Sequence, residues 1–262
     1  MTTVLVLACG LLGLLVGSFL NVVVHRVPAG ESVVAPPSAC PRCGHRLRSR
    51  DNVPVLSWLV LRGRCRDCRA PISVRYPLVE LGTAVLLALT AWHLGWSPVL
   101  PAFLYLGCVA VALAAIDLDT HRLPDAIVLP SYVVGAVLLL VAAAATGEWD
   151  ALVRAAVGGA GLWLLYFGVA VARPGGMGFG DVKLAGLLGM HLAFLGWAEL
   201  AAGAFAGFLV GGVVGVALLA TRRAGRKTAV PYGPSMLVGA ALGVAVGAPV
   251  AGAYLGLMGL QG

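Results

Sequence analysis

Charge is what this sequence has least of. Only 11% of its 262 residues are Asp, Glu, Lys or Arg, against 60% hydrophobic residues, which excludes an ordinary water-soluble domain. Familiar hydrolytic sets are missing as well: no serine or cysteine has a nucleophile-elbow context, and the five histidines are scattered. There is no internal repeat and no dinucleotide-type glycine fingerprint. The first apolar run, from about Val4 to Val24, has neither a basic leader nor a small-residue cleavage site. It therefore reads as a spanning helix and not as a removable signal peptide.

What is present is a series of apolar stretches of about 20 residues, each long enough to cross a bilayer. After the first they fall near Leu78–Trp96, Val99–Ile116, Ala126–Ala145, Ala151–Ala172, Val182–Trp197, Leu200–Ala220 and Met236–Leu260. The expected fold class is an all-α polytopic membrane protein of about eight transmembrane helices, the sixth being the shortest. The segment from His25 to Pro77 holds ten arginines against three acids and so carries the whole formal charge of +7 (10 minus 3), the rest balancing at eight and eight. Arg222, Arg223, Arg226 and Lys227 form a second basic cluster. Eight alternating spans place both clusters on one side, with Arg154 as the exception. Basic loops are retained in the cytoplasm, so the N-terminus is expected outside. Anionic lipid headgroups are a better counter-charge for this pattern than nucleic acid, and no nucleic-acid partner is expected.

Within the basic segment, Cys40-Pro41-Arg42-Cys43 and Cys65-Arg66-Asp67-Cys68 repeat one C-x2-C spacing. Two such knuckles present four thiolates to zinc, and four cysteines leave no open coordination position, so the site is expected to be structural. Arginines 42, 46, 64, 66 and 69 are expected to lower the thiol pKa values. A loop this poor in large apolar side chains needs such a staple. Cys9 and Cys108 lie inside spans and read as small packing residues.

Two aspartates end apolar runs on the same predicted face: Asp117, just after the third span, and Asp181, just before the sixth. Carboxylates at the edge of hydrocarbon are costly and mark function. A pair of them can share a proton and perform the acid/base work of an aspartic peptidase. The run Arg173-Pro174-Gly175-Gly176-Met177-Gly178-Phe179-Gly180-Asp181 cannot be an ordinary helix interior and allows close approach of another backbone. The bland alternatives are that Asp181 caps its helix while Lys183 faces lipid phosphates, and that Asp117, Asp119 and Asp125 are solvated loop charges paired with His121 and Arg122, Asp125 after Pro124 also fitting the first turn of the next helix. A cation-coupled transporter also uses carboxylates on glycine-broken helices, but it calls for mid-membrane acids and repeated halves. A zinc-bearing membrane anchor would leave both aspartates without a purpose.

Taken in order, Gly17-Ser18-Phe19-Leu20-Asn21 with His25-Arg26-Val27-Pro28, the paired knuckles, Pro71 to Glu80, Asp117 to Asp125, and Gly176 to Lys183 resemble the type IV prepilin peptidase family. That family comprises the bifunctional leader peptidases and N-methyltransferases of type IV pilus and type II secretion systems. The Gly178-x-Gly180-Asp181 element is also similar to that of presenilin-type intramembrane peptidases, which lack the cysteine module. The resemblance implies a catalytic pair at Asp117 and Asp181 that cleaves the short basic leader of prepilins or pseudopilins after a glycine. It implies a bacterial inner-membrane location with the active site facing the cytoplasm, and only indirect dealings with pilus or secretion machinery. It further implies S-adenosylmethionine-dependent methylation of the new N-terminus, with residues 1–96 forming that part and 97–262 the peptidase. The residues that bind the methyl donor are not assignable, and a peptidase without methyl transfer stays open. Glu80 is the acid to test first for a cationic ligand, with an Arg75 ion pair as its bland alternative.

Overall fold

The computed structural model describes residues 1–173, 176–221 and 231–258. Pro174 and Gly175 of the glycine-rich run, the basic cluster at 222–227 and the expected end of the last span at Leu260 lie outside the described residues. The chain divides into two compact units, Met1–Ala115 and Ile116–Gly262.

Every apolar stretch becomes a helix. In order these are α1 (Thr2–Arg26), a short α2 (Leu56–Val60), α3 (Arg75–Leu94), α4 (Leu100–Thr120), α5 (Asp125–Thr146), α6 (Trp149–Ala172), α7 (Phe179–Leu195), α8 (Trp197–Ala220) and α9 (Gly233–Leu257). Helices are the natural solution here because hydrocarbon offers backbone amides no other partner. Seven of the nine, all except α2 and α7, are long and apolar enough to cross a membrane.

In the first unit α1 packs along α3, and Leu5, Cys9, Leu87, Ala91 and Leu100 form a core that Cys108 flanks. In the second, α6 pairs with α7 and α8 with α9, while α7 also touches α5, α8 and α9. This explains why α7 has only 17 residues, a rise of about 25 Å. A helix enclosed by its neighbours has no lipid thickness to match, and nearly every residue from Val182 to Phe194 is buried. One extended residue, Gly196, joins it to α8. Arg154 of α6 donates to the carbonyl oxygens of Ala193 (3.3 Å) and Phe194 (3.1 Å), so the charge that broke the loop pattern satisfies the C-terminal end of α7.

Helices α8 and α9 approach through small residues. A Cβ on Gly243 would lie 2.7 Å from Gly203 Cα, and one on Gly247 would lie 2.6 Å from Glu199 Cα. Backbone contact of this kind replaces the hydrophobic driving force that lipid removes. Gly243→Leu is expected to lower the thermal stability of the detergent-solubilised protein by about 1–3 kcal/mol. Gly212→Leu, at a position with nothing within 4 Å, should leave the melting temperature unchanged.

Candidate active site and thiol cluster

Between α1 and α3 the chain forms two knuckles on one plan. In the first, Cys40 N–H donates to His45 O (2.9 Å), Gly44 N–H to Cys40 O (2.9 Å) and Leu47 N–H to Ser38 O (2.9 Å). In the second, Cys65 N–H donates to Ala70 O (2.8 Å), Arg69 N–H to Cys65 O (3.0 Å) and Ile72 N–H to Gly63 O (2.7 Å). Each turn passes through a left-handed residue, Gly44 at φ +71° and Arg69 at φ +59°. The four thiols of Cys40, Cys43, Cys65 and Cys68 lie within 4.8 Å of one another, with Cys40 Sγ and Cys68 Sγ 3.8 Å apart. A zinc ion bonded to four sulfurs at about 2.3 Å sets them about 3.8 Å apart. The cluster is therefore compatible with zinc.

The electrostatics of the knuckle favour a thiolate, by a route other than the expected one. Backbone N–H groups of Cys43 and then Arg42 hold the Cys40 thiol down to about 6, not the arginine side chains. Cys43 goes the other way, to about 11: the His45 N–H favours its thiolate, but burial and the neighbouring Cys40 and Cys68 sulfurs outweigh that donor. Crowded thiolates repel one another unless a cation joins them. Of the arginines, Arg66 donates through Nε (2.9 Å) and Nη2 (2.6 Å) to Asp51 Oδ1 and holds that carboxyl below its ordinary range. Arg48 pairs with Asp67 at 3.4 Å.

In the second unit Asp117 and Asp181 come together at one end of the helices. Asp117 lies within the last turn of α4 and not beyond it, 4% exposed. Its Oδ2 accepts the N–H of Gly233 at 3.1 Å. Gly233 is the first residue of α9, with Pro234 after it, so the carboxylate sits on that helix's N-terminus, where the dipole favours negative charge. A Cβ at position 233 would lie 2.7 Å from Asp117 Oδ2, which is why glycine stands there. Asp181 is likewise inside a helix, in the first turn of α7, and its Oδ2 accepts the Gly178 N–H at 3.2 Å. This is the back-reaching half of a capping box, the glycine having no side chain for the other half. The two carboxyl groups are close enough for the charge of Asp117 to act on Asp181.

Leu123 fills the space beside them. A Cβ on Gly180 would lie 3.0 Å from Leu123 Cβ, and one on Gly233 would lie 3.4 Å from Leu123 Cδ2. On the other side Tyr166 and Tyr232 bring their hydroxyl oxygens to 3.4 Å, and the Phe208 ring packs on both, at 5.1 and 6.1 Å. Both tyrosines feel the Asp181 charge.

Other residues singled out in the sequence fall elsewhere. Lys183 does not turn to lipid phosphates: its Nζ meets Asp125 Oδ1 at 2.6 Å and Oδ2 at 2.8 Å, which also removes Asp125 from the His121 and Arg122 pairing. Glu80 accepts the Val55 N–H at 2.7 Å, while Arg75 donates to Ala115 O at 2.9 Å. His191, one of the scattered histidines, is buried within α7, with Nδ1 2.9 Å from Leu187 O. The sequence reading missed Tyr232, Gly233 and Tyr166. Pro234 does mark a helix start, but no local signal says which carboxylate that start will meet.

Comparison with known proteins finds two family matches along the chain. Residues 11–94 match the Bacterial Peptidase A24 N-terminal domain, and residues 104–216 match the Type IV leader peptidase family. A prepilin leader peptidase/N-methyltransferase of Stutzerimonas stutzeri is 38% identical over 275 residues, covering 95% of this chain and 93% of the relative. One of Pseudomonas aeruginosa is 38% identical over 98% of this chain and 95% of the relative. One of Myxococcus xanthus is 46% identical over 83% of this chain and 64% of the relative. No solved structure matches the chain.

The repeat of the two knuckles generates a stability prediction. Arg69 occupies the left-handed position that Gly44 fills in the first knuckle, at a steric cost of about 1–2 kcal/mol that glycine does not bear. After the greater freedom of glycine in the unfolded chain is subtracted, Arg69→Gly is expected to stabilise the module by about 0.5–1 kcal/mol. The thermal midpoint of the purified protein without chelator measures this, and a lowered midpoint contradicts it.

Proposed function

Because the chain belongs to the type IV leader peptidase family, we propose that Asp117 and Asp181 are the carboxyl groups with which it cleaves prepilins. Its activities are removal of the prepilin leader and N-methylation of the N-terminus so exposed. The observation that carries the assignment is that both acids stand at one end of the helices, each oriented by a glycine N–H at the start of a helix. Each carboxyl thereby commits Oδ2 to a fixed donor and leaves Oδ1 without a protein partner among the described residues. Neighbouring like charges favour one shared proton. The ionised carboxylate takes a proton from water, and the hydroxide equivalent attacks the scissile carbonyl carbon while the protonated carboxyl gives its proton to the carbonyl oxygen. Collapse of the tetrahedral adduct breaks the C–N bond, the amine leaves with one proton, and the pair again holds one.

The substrate follows from depth. We place the N-terminus outside and the dyad at the cytoplasmic face of the inner membrane. The chain leaves Asp117 at the end of α4, crosses through α5 and α6, and is back at Asp181. It crosses again through α7 and α8 and returns to Gly233. A short basic leader of a prepilin or pseudopilin would lie among headgroups while its apolar helix stays in the bilayer, bringing the bond after the leader glycine to the carboxyls. Pilus or secretion machinery meets this enzyme only through its products.

We assign zinc to Cys40, Cys43, Cys65 and Cys68 in a structural role. S-adenosylmethionine is the methyl donor that an N-methyltransferase requires, and residues 1–96 are where we place that activity, with the peptidase in 97–262.

Co-expression with a prepilin, read by product mass, tests the dyad. Wild type should cut after the leader glycine and add one methyl mass. Asp117→Asn and Asp181→Asn, at equal expression, should each lose at least about 10³-fold in rate, within the range attributed to general acid–base groups; full cleavage by either removes that residue from the pair. For the metal, the purified protein should contain one zinc per chain. Cys40→Ser should lose it and unfold the module, since structural zinc contributes on the order of 10 kcal/mol. Metal-free wild type with an unchanged melt contradicts this.

A further inference from the structure

The ion pair between Lys183 and Asp125 has no part in the chemistry just described, yet it lies between the two segments that supply the carboxyls. Asp125 opens α5, eight residues after Asp117, and Lys183 follows Asp181 by two residues at the start of the second turn of α7. The contact is bidentate, with Nζ at 2.6 and 2.8 Å from the two carboxylate oxygens. The Lys183 ammonium also lies 5.0 Å from the centre of the Phe179 ring, which fixes it on its own helix. Two turns further along the same face of α5, the Tyr132 hydroxyl donates to the Lys183 backbone carbonyl at 2.5 Å. Lys183 is thus held by α5 at two points. Between them and the dyad, Leu123 packs against Gly180.

From this geometry, and resting on the catalytic assignment above, we propose that Lys183 and Asp125 are positioning residues whose ion pair clamps the start of α5 to the N-terminal part of α7 and so sets the distance between Asp117 and Asp181. The Asp125 side chain is 55% exposed, and pairs with so exposed a partner contribute little to stability. Its value lies in register: a catalytic group displaced by about 1 Å costs on the order of 100-fold in rate. The arrangement also separates Asp125 from the chemistry, because both its oxygens are occupied by the same ammonium.

Kinetics of prepilin cleavage by the full-length protein test the clamp. Asp125→Asn and Lys183→Gln are each expected to lower kcat about 10- to 100-fold, with KM and the melting temperature near those of wild type. Lys183→Arg should retain most of the rate. The charge-swapped double variant Asp125→Lys/Lys183→Asp should recover at least about tenfold over either single reversal, the coupling expected of residues in contact. Single variants within about twofold of wild type, a loss of kcat matched by an equal loss of folded protein, or a swap no better than the worse single reversal would each overturn the proposal. A catalytic Asp125 is excluded only by the recovery, since moving its carboxyl to position 183 would abolish such a role. Asp117→Asn and Asp181→Asn in the same assay report on the dyad itself, so failure of the clamp and failure of the catalytic assignment are distinguishable.

Discussion

The second unit is organised around the bond from the Gly233 N–H to Asp117. Hydrocarbon leaves the first amides of a helix without water, and a buried carboxylate without a donor is as costly. Setting the carboxylate of α4 on the first amide of α9 answers both demands at once. It also dictates the sequence around it: glycine at 233, because a Cβ would strike the carboxylate, and an unbroken α4 through Asp117. The Asp181 carboxylate repeats the solution on α7 by reaching back to Gly178. Two acids that the membrane would otherwise reject are each retained by a helix end, and the same bonds fix the direction of the remaining oxygen of each.

The thiol cluster solves a different problem by a different means. Among the described residues the buried apolar cluster of the segment between α1 and α3 is Cys40, Cys65 and Ala70, and its two turns are specified by backbone hydrogen bonds repeated from one knuckle to the next. The first turn also presents the Cys43 and Arg42 N–H groups to the Cys40 thiol and so draws it toward its ionised form, while Cys43 resists a second charge beside it.

Much of this was legible in one dimension. Among the described residues eight apolar runs became eight long helices, because hydrocarbon permits few alternatives, and the C-x2-C pairs converged on one four-thiol cluster. Helix ends were less legible. Asp117 and Asp181 were expected just outside their helices and lie just inside, since a carboxylate that caps a helix end no longer needs to escape into water. Lys183 and Asp125 carry signals for loop charges, and nothing local announces that they face each other.

The sequence by itself determined the class and the thiol cluster and pointed to the two acids, because composition, run length and cysteine spacing are local properties that solvent reads directly. The tertiary structure alone decided which amide each carboxylate would hold, that Tyr166 and Tyr232 would lie beside Asp181, and that Lys183 would bind Asp125. Those are meetings between helices far apart in the chain, set by close packing at glycines whose partners no local pattern names.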